Sequence, residues 1–175
     1  MSTSSLEHIA EDLISHALQR QGVLVAKPKF DHDGADLLAL LDISDGAKFC
    51  RIQCKGRSLT STTKSHIEIP ARYVTDAFIV ILYIEDGEIA EQNLFCFFGK
   101  QIREWPHYKK KDVYTLSFSK LAYRKNLESY VFGKGTIDNI LKSIINVNVH
   151  GEFKTMGHAY AELTFPTFTV EAHCS

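Results

Sequence analysis

The sequence lacks the features of membrane-spanning and secreted proteins. It has no continuous run of about 18 apolar residues, the length that a helix needs to cross a bilayer, so we expect no membrane span. Residues 1–5 have neither the positive charge nor the apolar stretch that begins a secretory signal. These two absences predict a cytoplasmic location.

Cysteine pairs of the zinc-binding type are also missing. The four cysteines, Cys50, Cys54, Cys96 and Cys174, show no C-x-x-C spacing. Three of them lie inside apolar runs that have the composition of strands. The pattern argues against a structural zinc site and predicts reduced, buried thiols.

A strong net charge is the third absence. The formal net charge is −1, which argues against a basic surface covering the whole protein. Charge is nevertheless segregated along the chain. Residues 1–46 carry three basic and eight acidic side chains. Residues 48–73 carry six basic and one acidic side chain, and residues 100–125 carry eight basic and two acidic side chains. This segregation suits a metal-dependent enzyme acting on a phosphate backbone, although uneven charge also occurs without such a role.

The hydrophobic pattern predicts one domain in which helices and strands are mixed. The 175 residues suit a single domain, and a 45% hydrophobic composition can supply its core. Strands are predicted over 22–30, 35–43, 48–55, 78–84, 94–98 and 113–118, helices over 5–21, 70–76, 99–105 and 137–145, a loop over 57–66, and mostly extended chain over the last thirty residues. The mixture predicts an α/β or α+β sheet covered by helices.

Four side chains are predicted to converge at one end of this sheet. Asp36 opens the second predicted strand. Gln53 and Lys55 lie two apart on the next strand, so both point to the same face, while Cys54 points to the other face and can pack. Glu11, on the first helix, can approach the same end of the sheet.

These residue types match the needs of phosphodiester hydrolysis. A hard divalent cation, Mg²⁺ or Mn²⁺, prefers oxygen ligands, which Asp36, Gln53 and the Cys54 backbone carbonyl can supply. Glu11 can bind the same ion directly or through water. Such an ion polarises the phosphate and lowers the pKa of its bound water. Lys55 can hold the attacking water and stabilise the charge that grows on phosphorus.

The arrangement resembles the PD-(D/E)xK nuclease superfamily, in particular archaeal Holliday-junction resolvases and Mrr-type restriction nucleases. In the resolvases a helix glutamate precedes a glycine that starts the first strand, and Glu11 and Gly22 match that layout. In the Mrr-type enzymes the second acidic position is commonly glutamine, which matches Gln53. Two positions depart from the usual motif. Ala35 stands where proline is common, and Gln53 leaves one fewer negative charge, so weaker metal affinity is expected.

The resemblance implies both a fold and an activity. The implied fold is restriction-endonuclease-like, a mixed central β-sheet flanked by helices, in one domain over 1–175 with a core at about 5–120 and an extension at about 121–175. The implied activity is that of a magnesium-dependent endonuclease acting on DNA, with Glu11, Asp36, Gln53 and Lys55 as its site. A homodimer is compatible with this reading.

Basic and hydroxyl side chains outside that site are candidates for holding nucleic acid. Lys109, Lys110 and Lys111 form a run near Trp105 and Tyr108 that can grip a phosphate backbone. The other candidates, in the segment after Lys55, are Arg57, Ser58 and Lys64. An ordinary solvated charge run and an ordinary loop are the alternatives.

Other interpretations remain open for the site itself. Glu11 can be a solvated helix edge, Asp36 can shape a turn, and Gln53 and Lys55 can be surface residues of a strand. The protein can therefore be an active endonuclease, a nuclease-fold protein that only binds nucleic acid or protein, or an unrelated α/β domain.

Overall fold

The computed structural model describes most of the chain, in the ranges 3–29, 34–43, 46–60, 62–87 and 93–146. The predictions made for the last thirty residues therefore lie almost wholly outside the described residues, as does Cys174.

The N-terminal helix α1 spans Thr3–Arg20, close to its predicted position. Its buried side chains recur every four residues, which places them in one stripe facing the sheet: Leu6, Ala10, Ile14 and Leu18. The helix is followed by Gly22, whose φ of +79° is the left-handed conformation that commonly ends helices.

Within the described residues, eight strands in two sheets and five further helical segments follow α1. The strands are β1 (Leu24–Ala26), β2 (Leu37–Ile43), β3 (Gly46–Ser58), β4 (Lys64–Pro70), β5 (Phe78–Glu85), β6 (Leu94–Phe98), β7 (His107–Tyr108) and β8 (Val113–Ser119). The later α-helices are α2 (Gly99–Ile102), α3 (Tyr123–Asn126) and α4 (Lys134–Asn146), and 3-10 turns cover Ala71–Tyr73 and Glu128–Tyr130.

The larger sheet is mixed and has the order β1-β2-β3-β5-β6. β2 and β3 form the predicted antiparallel hairpin, with Leu37 opposite Ile52 and Ile43 opposite Gly46. β3 and β5 are parallel, and the other neighbours are antiparallel. The predicted class, a mixed α+β fold with a central sheet flanked by helices, is confirmed.

The two faces of the larger sheet are covered differently. Cys50, Ile52 and Cys54 of β3 belong to a core shared with α1 and α4. The opposite face of β5 and β6 packs against the second sheet, which has the order β4-β8-β7. Gln53 and Lys55 therefore share the face opposite to Cys54, as the strand alternation predicts. No helix within the described ranges is long and apolar enough to cross a membrane.

The predicted loop over 57–66 is wrong at both ends. β3 continues to Ser58, and β4 begins at Lys64, where it pairs with Ser119 of β8. The serines and threonines favoured a loop, but Ile67 and Ile69 alternate into the second core and make this segment a strand. The helix predicted over 70–76 is only the 3-10 turn Ala71–Tyr73.

Candidate functional site

Asp36 is held against β3 by two hydrogen bonds. It immediately precedes β2, and its backbone N–H donates to the Ile52 carbonyl at 3.0 Å. Its Oδ2 accepts the backbone N–H of Cys54 at 2.6 Å. The carboxylate therefore lies beside β3 at the point where the β2–β3 ladder ends.

The backbone N–H and C=O of Cys54 both point to the side of β3 on which Asp36 lies. The N–H and C=O groups of one strand residue point to the same side of the strand, since such residues both donate and accept across a ladder. Because the Cys54 N–H is directed at Asp36, its carbonyl is also directed to that side. The predicted backbone ligand thus lies on the side of β3 that carries the carboxylate.

Gln53 carries a buried oxygen that nothing satisfies. The residue is 8% exposed, and its Oε1 has no hydrogen-bond partner among the described residues. Leaving a buried acceptor unpaired costs about 1–3 kcal/mol, so such groups are rare in folded proteins. Such an oxygen is free to accept a hydrogen bond from a ligand or to coordinate a cation.

The segment before Asp36 closes over Gln53. Gly34 has a φ of +70°, and a Cβ built there would lie 2.7 Å from the Tyr73 ring and 3.4 Å from Gln53 Nε2. A side chain at this position would therefore meet both strain and a clash. Glycine at position 34 lets the chain pass close to the Gln53 amide.

Glu11 approaches from α1 and is paired with a lysine that the sequence reasoning missed. The Glu11 carboxylate is 13% exposed and accepts a hydrogen bond from the Lys27 ammonium. This bond raises the pKa of Lys27 above its ordinary value, an effect that burial opposes and that Glu11, Asp12 and Asp36 reinforce through their charge. Lys27 follows β1, and only the pairing of β1 with β2 brings it to the site.

Burial and nearby charges both change the pKa of the Cys54 thiol. Burial raises its pKa well above the ordinary value, and the carboxylates of Asp36 and Glu11 raise it further. The ammonium groups of Lys55 and Lys27 act in the opposite direction. The charges of two carboxylates and two ammonium groups therefore all act on this one buried sulfur.

Gly56 explains how α1 comes so near to β3. A Cβ built on Gly56 would lie 2.6 Å from the Leu6 carbonyl oxygen, which is a backbone atom of α1. Only a residue without a side chain permits this approach. Leu6 and Glu11 share one rigid helix, so Gly56 helps to set the distance between Glu11 and β3. No local sequence pattern indicates this role.

Within the described ranges, no three His, Cys, Asp or Glu side chains form a group that could hold a metal ion, so an ion near Asp36 would also need amide and backbone oxygens. An ion here would use the Asp36 carboxylate, the unsatisfied Gln53 amide and the Cys54 carbonyl, with Glu11 nearby. All four are oxygen donors, the kind that Mg²⁺ and Mn²⁺ prefer.

The predicted nucleic-acid residues divide into two groups. Arg57 is engaged within the fold: its guanidinium contacts the Glu7 carboxylate at 3.1 Å, the Gly56 carbonyl at 2.7 Å and the His66 carbonyl at 3.0 Å. Ser58 shares a hydrogen bond with Thr60 at 2.7 Å. These contacts tie β3 to α1 and β4.

The predicted lysines, in contrast, lie on the surface. Lys64 begins β4, and Lys109 to Lys111 form the turn between β7 and β8. Lys111 lies 3.7 Å from the Glu68 carboxylate, and all four ammonium groups are on exposed residues. They are available to an external phosphate.

Comparison with known proteins gives little beyond the geometry. No family model and no curated protein matches the sequence. The solved structure of a bacterial homing endonuclease, I-Ssp6803I, aligns with 93% of this chain and 100% of that chain, at 17% sequence identity and a TM-score of 0.49. We draw no conclusion about family or activity from a likeness of this size.

Proposed function

We propose that this protein is an endonuclease that hydrolyses phosphodiester bonds in DNA with the help of Mg²⁺ or Mn²⁺. The observation that carries the proposal is the buried, unpartnered Oε1 of Gln53 on the strand that also binds the Asp36 carboxylate. A cation would satisfy this oxygen and would neutralise the carboxylate at the same time. Neither effect follows if Gln53 is an ordinary surface residue.

Each side chain has a distinct role in this proposal. Asp36, Gln53 and the Cys54 carbonyl hold the cation, which when bound polarises the phosphate and lowers the pKa of a coordinated water. Lys55, half-buried on the face of Gln53, orients the attacking water and stabilises negative charge on phosphorus. Glu11 contributes a second carboxylate from α1. This division of roles is that of the PD-(D/E)xK nucleases, which the sequence resembles.

Cleavage of a supercoiled plasmid tests the proposal. The wild-type protein should nick or linearise the plasmid when Mg²⁺ or Mn²⁺ is added, and should be inert in a chelator. Asp36→Asn keeps the shape of the side chain but removes its charge, so the rate should fall by roughly 10²–10³ or more. Asp138→Asn, on the exposed surface of α4, removes the same charge elsewhere and should cleave like the wild type.

The opposite result has a clear form. If Asp36→Asn cleaves as fast as Asp138→Asn, Asp36 is not a ligand and the assignment of the site fails. If Asp36→Asn is inactive but has also unfolded, as judged by circular dichroism, the residue has a structural role through its bond to Cys54.

A second candidate function is favoured by one specific observation. Glu11 is already neutralised by Lys27, and Asp36 already accepts a hydrogen bond from the backbone of Cys54. Both carboxylates thus have partners without any metal, as in a nuclease-fold protein that binds nucleic acid or protein but does not cut. The two functions differ in whether Mn²⁺ binds at all.

A further inference from the structure

The second sheet presents two faces of opposite character. Side chains of β4 and β8 that point inward belong to the second core, among them Ile67, Ile69 and Phe118. The register pairs the outward residues as Lys64 with Ser119, His66 with Ser117, and Glu68 with Thr115, and ends with the apolar pair of Pro70 and Val113. We call the six polar residues the polar face.

The polar face is composed only of hydrogen-bonding groups. It contains three hydroxyls, one imidazole, one ammonium and one carboxylate. Lys64, His66 and Ser117 are exposed, and His66 and Ser117 stand directly opposite each other at its centre. Side chains of these types bind phosphates and the edges of bases.

A strongly basic turn borders this face. Lys109 to Lys111, which we call the lysine turn, connect β7 to β8, and residues 100–125 carry eight basic and two acidic side chains in a protein of net charge −1. Two acids lie near the turn: Glu68, 3.7 Å from the Lys111 ammonium, and Asp112, hydrogen-bonded to His107 at 3.0 Å. The three lysines outnumber these two carboxylates, so the net charge of the turn is positive and complements a polyanion.

The polar face is also joined to the strand of the candidate site. Arg57 lies two residues beyond Lys55 on β3, and its Nε donates to the His66 carbonyl at 3.0 Å. One guanidinium therefore spans the gap between the strand that carries Lys55 and the centre of the polar face. A ligand lying on that face would pass close to the candidate site.

We propose that the polar face and the lysine turn bind duplex DNA, with the β4–β8 ribbon in the major groove and the lysine turn on the adjacent phosphates. This inference rests on the proposed function, and it adds which surface of the protein contacts the DNA and which groove of the duplex that surface enters. β7 pairs only with Val113 and Tyr114, so over residues 64–68 and 115–119 the sheet is a two-stranded ribbon. The major groove, about 12 Å wide, admits such a ribbon. Five strand residues extend about 17 Å, which matches about five base pairs.

The first test measures how salt affects DNA binding by the full chain in Ca²⁺, with a random-sequence 30-bp duplex. Lys109→Ser/Lys110→Ser should weaken binding by on the order of tenfold per contact near 0.1 M salt and reduce the log–log salt slope by about 1.8. The matched control is Lys134→Ser/Lys142→Ser on α4, which removes the same charge on the opposite side of the sheet and should behave like the wild type. Equal losses in the two double variants would overturn the proposal.

The second test locates the duplex by cross-linking. In a Cys174→Ser background the other three cysteines are buried, so a photoactivatable reagent can be attached to Ser117→Cys or, as a control, to Asn139→Cys on α4. The label at position 117 should cross-link to the duplex and the label at 139 should not. Equal yields, or none from position 117, would contradict the placement, as would equal binding of duplex RNA, whose major groove is too deep and narrow for a ribbon.

These outcomes are separable from failure of the proposed function. Cross-linking at position 117 without plasmid cleavage would retain the DNA surface and remove the hydrolytic role. Cleavage that depends on Asp36, without cross-linking at position 117, would retain the nuclease and reject this surface.

Discussion

The two halves of β3 differ in what borders them. From Gly46 to Ile52 the strand is paired with β2, and from Arg51 to Ser58 it is paired with β5. Beyond Ile52 the β2 ladder has ended, and the Asp36 carboxylate binds the freed N–H of Cys54. The first half is therefore ordinary sheet, while in the second half a side-chain carboxylate replaces β2 as the hydrogen-bond partner of β3.

This difference shows how a sheet can make a polar site without leaving its regular geometry. The alternation of β3 continues unchanged through both halves, so Cys54 stays in the core while Gln53 and Lys55 stay on the other face. What changes is the neighbour on the β2 side of β3: it is β2 itself in the first half and the Asp36 carboxylate in the second half. In the second half, α1 also crosses close to β3 at Gly56.

The largest effect is expected from filling the space at Gly56. Gly56→Ala would place a methyl group against the Leu6 carbonyl and push α1 away from β3, which should cost about 1–3 kcal/mol of stability and displace Glu11. Urea denaturation measures the first effect, and loss of plasmid cleavage measures the second.

Gly135→Ala is the matched control for that experiment. Gly135 lies in α4, and a Cβ there meets nothing within 4 Å, so the change should alter stability by at most about 1 kcal/mol, in the stabilising direction. Wild-type stability and cleavage in Gly56→Ala would show that the approach of α1 does not matter to the second half of β3.

A smaller effect is expected at Lys27. Lys27→Met removes the ammonium that neutralises Glu11, so a cation at the site should meet less positive charge and bind more tightly. Lys27 is 60% exposed, and exposed ion pairs contribute about 0.2–1 kcal/mol, which limits the gain in Mn²⁺ affinity to about fivefold. Calorimetric titration measures the Mn²⁺ affinity of Lys27→Met, and Lys142→Met on α4 is the control. Unchanged affinity in Lys27→Met would place Glu11 outside the metal site.

The elements that carry the site were predictable because their patterns are local. Helical spacing placed α1, the alternation of β3 put Gln53 and Lys55 on one face, and the continuous apolar run of β5 indicated a buried central strand. The positions of Lys27 and Gly56 were not predictable. Each matters through α1, which is distant in sequence: Lys27 contacts Glu11, and Gly56 lies against Leu6. Neither leaves a local pattern.

Two strands of the second sheet, β4 and β7, escaped prediction for a related reason, whereas β8 lies where a strand was predicted. β4 follows a segment rich in serine and threonine that favoured a loop, and its partner β8 begins more than forty residues later along the chain. β7 has two residues and α3 has four, too few to produce a periodic signal.

Gln53 offers the most direct test of the metal site. Its Oε1 is buried and unpartnered, and Gln53→Glu would place a charged oxygen at nearly the same position. Opposite charges so close attract strongly even at an effective dielectric of about 20, so Mn²⁺ should bind more tightly. Gln53→Leu fills a similar volume without an oxygen and should lose the ion.

Calorimetric titration of Mn²⁺ into the wild type, Gln53→Glu and Gln53→Leu is therefore the decisive measurement. A site at Gln53 predicts affinities in the order Glu, Gln, Leu, from tightest to weakest. Equal and negligible binding by all three proteins would contradict it.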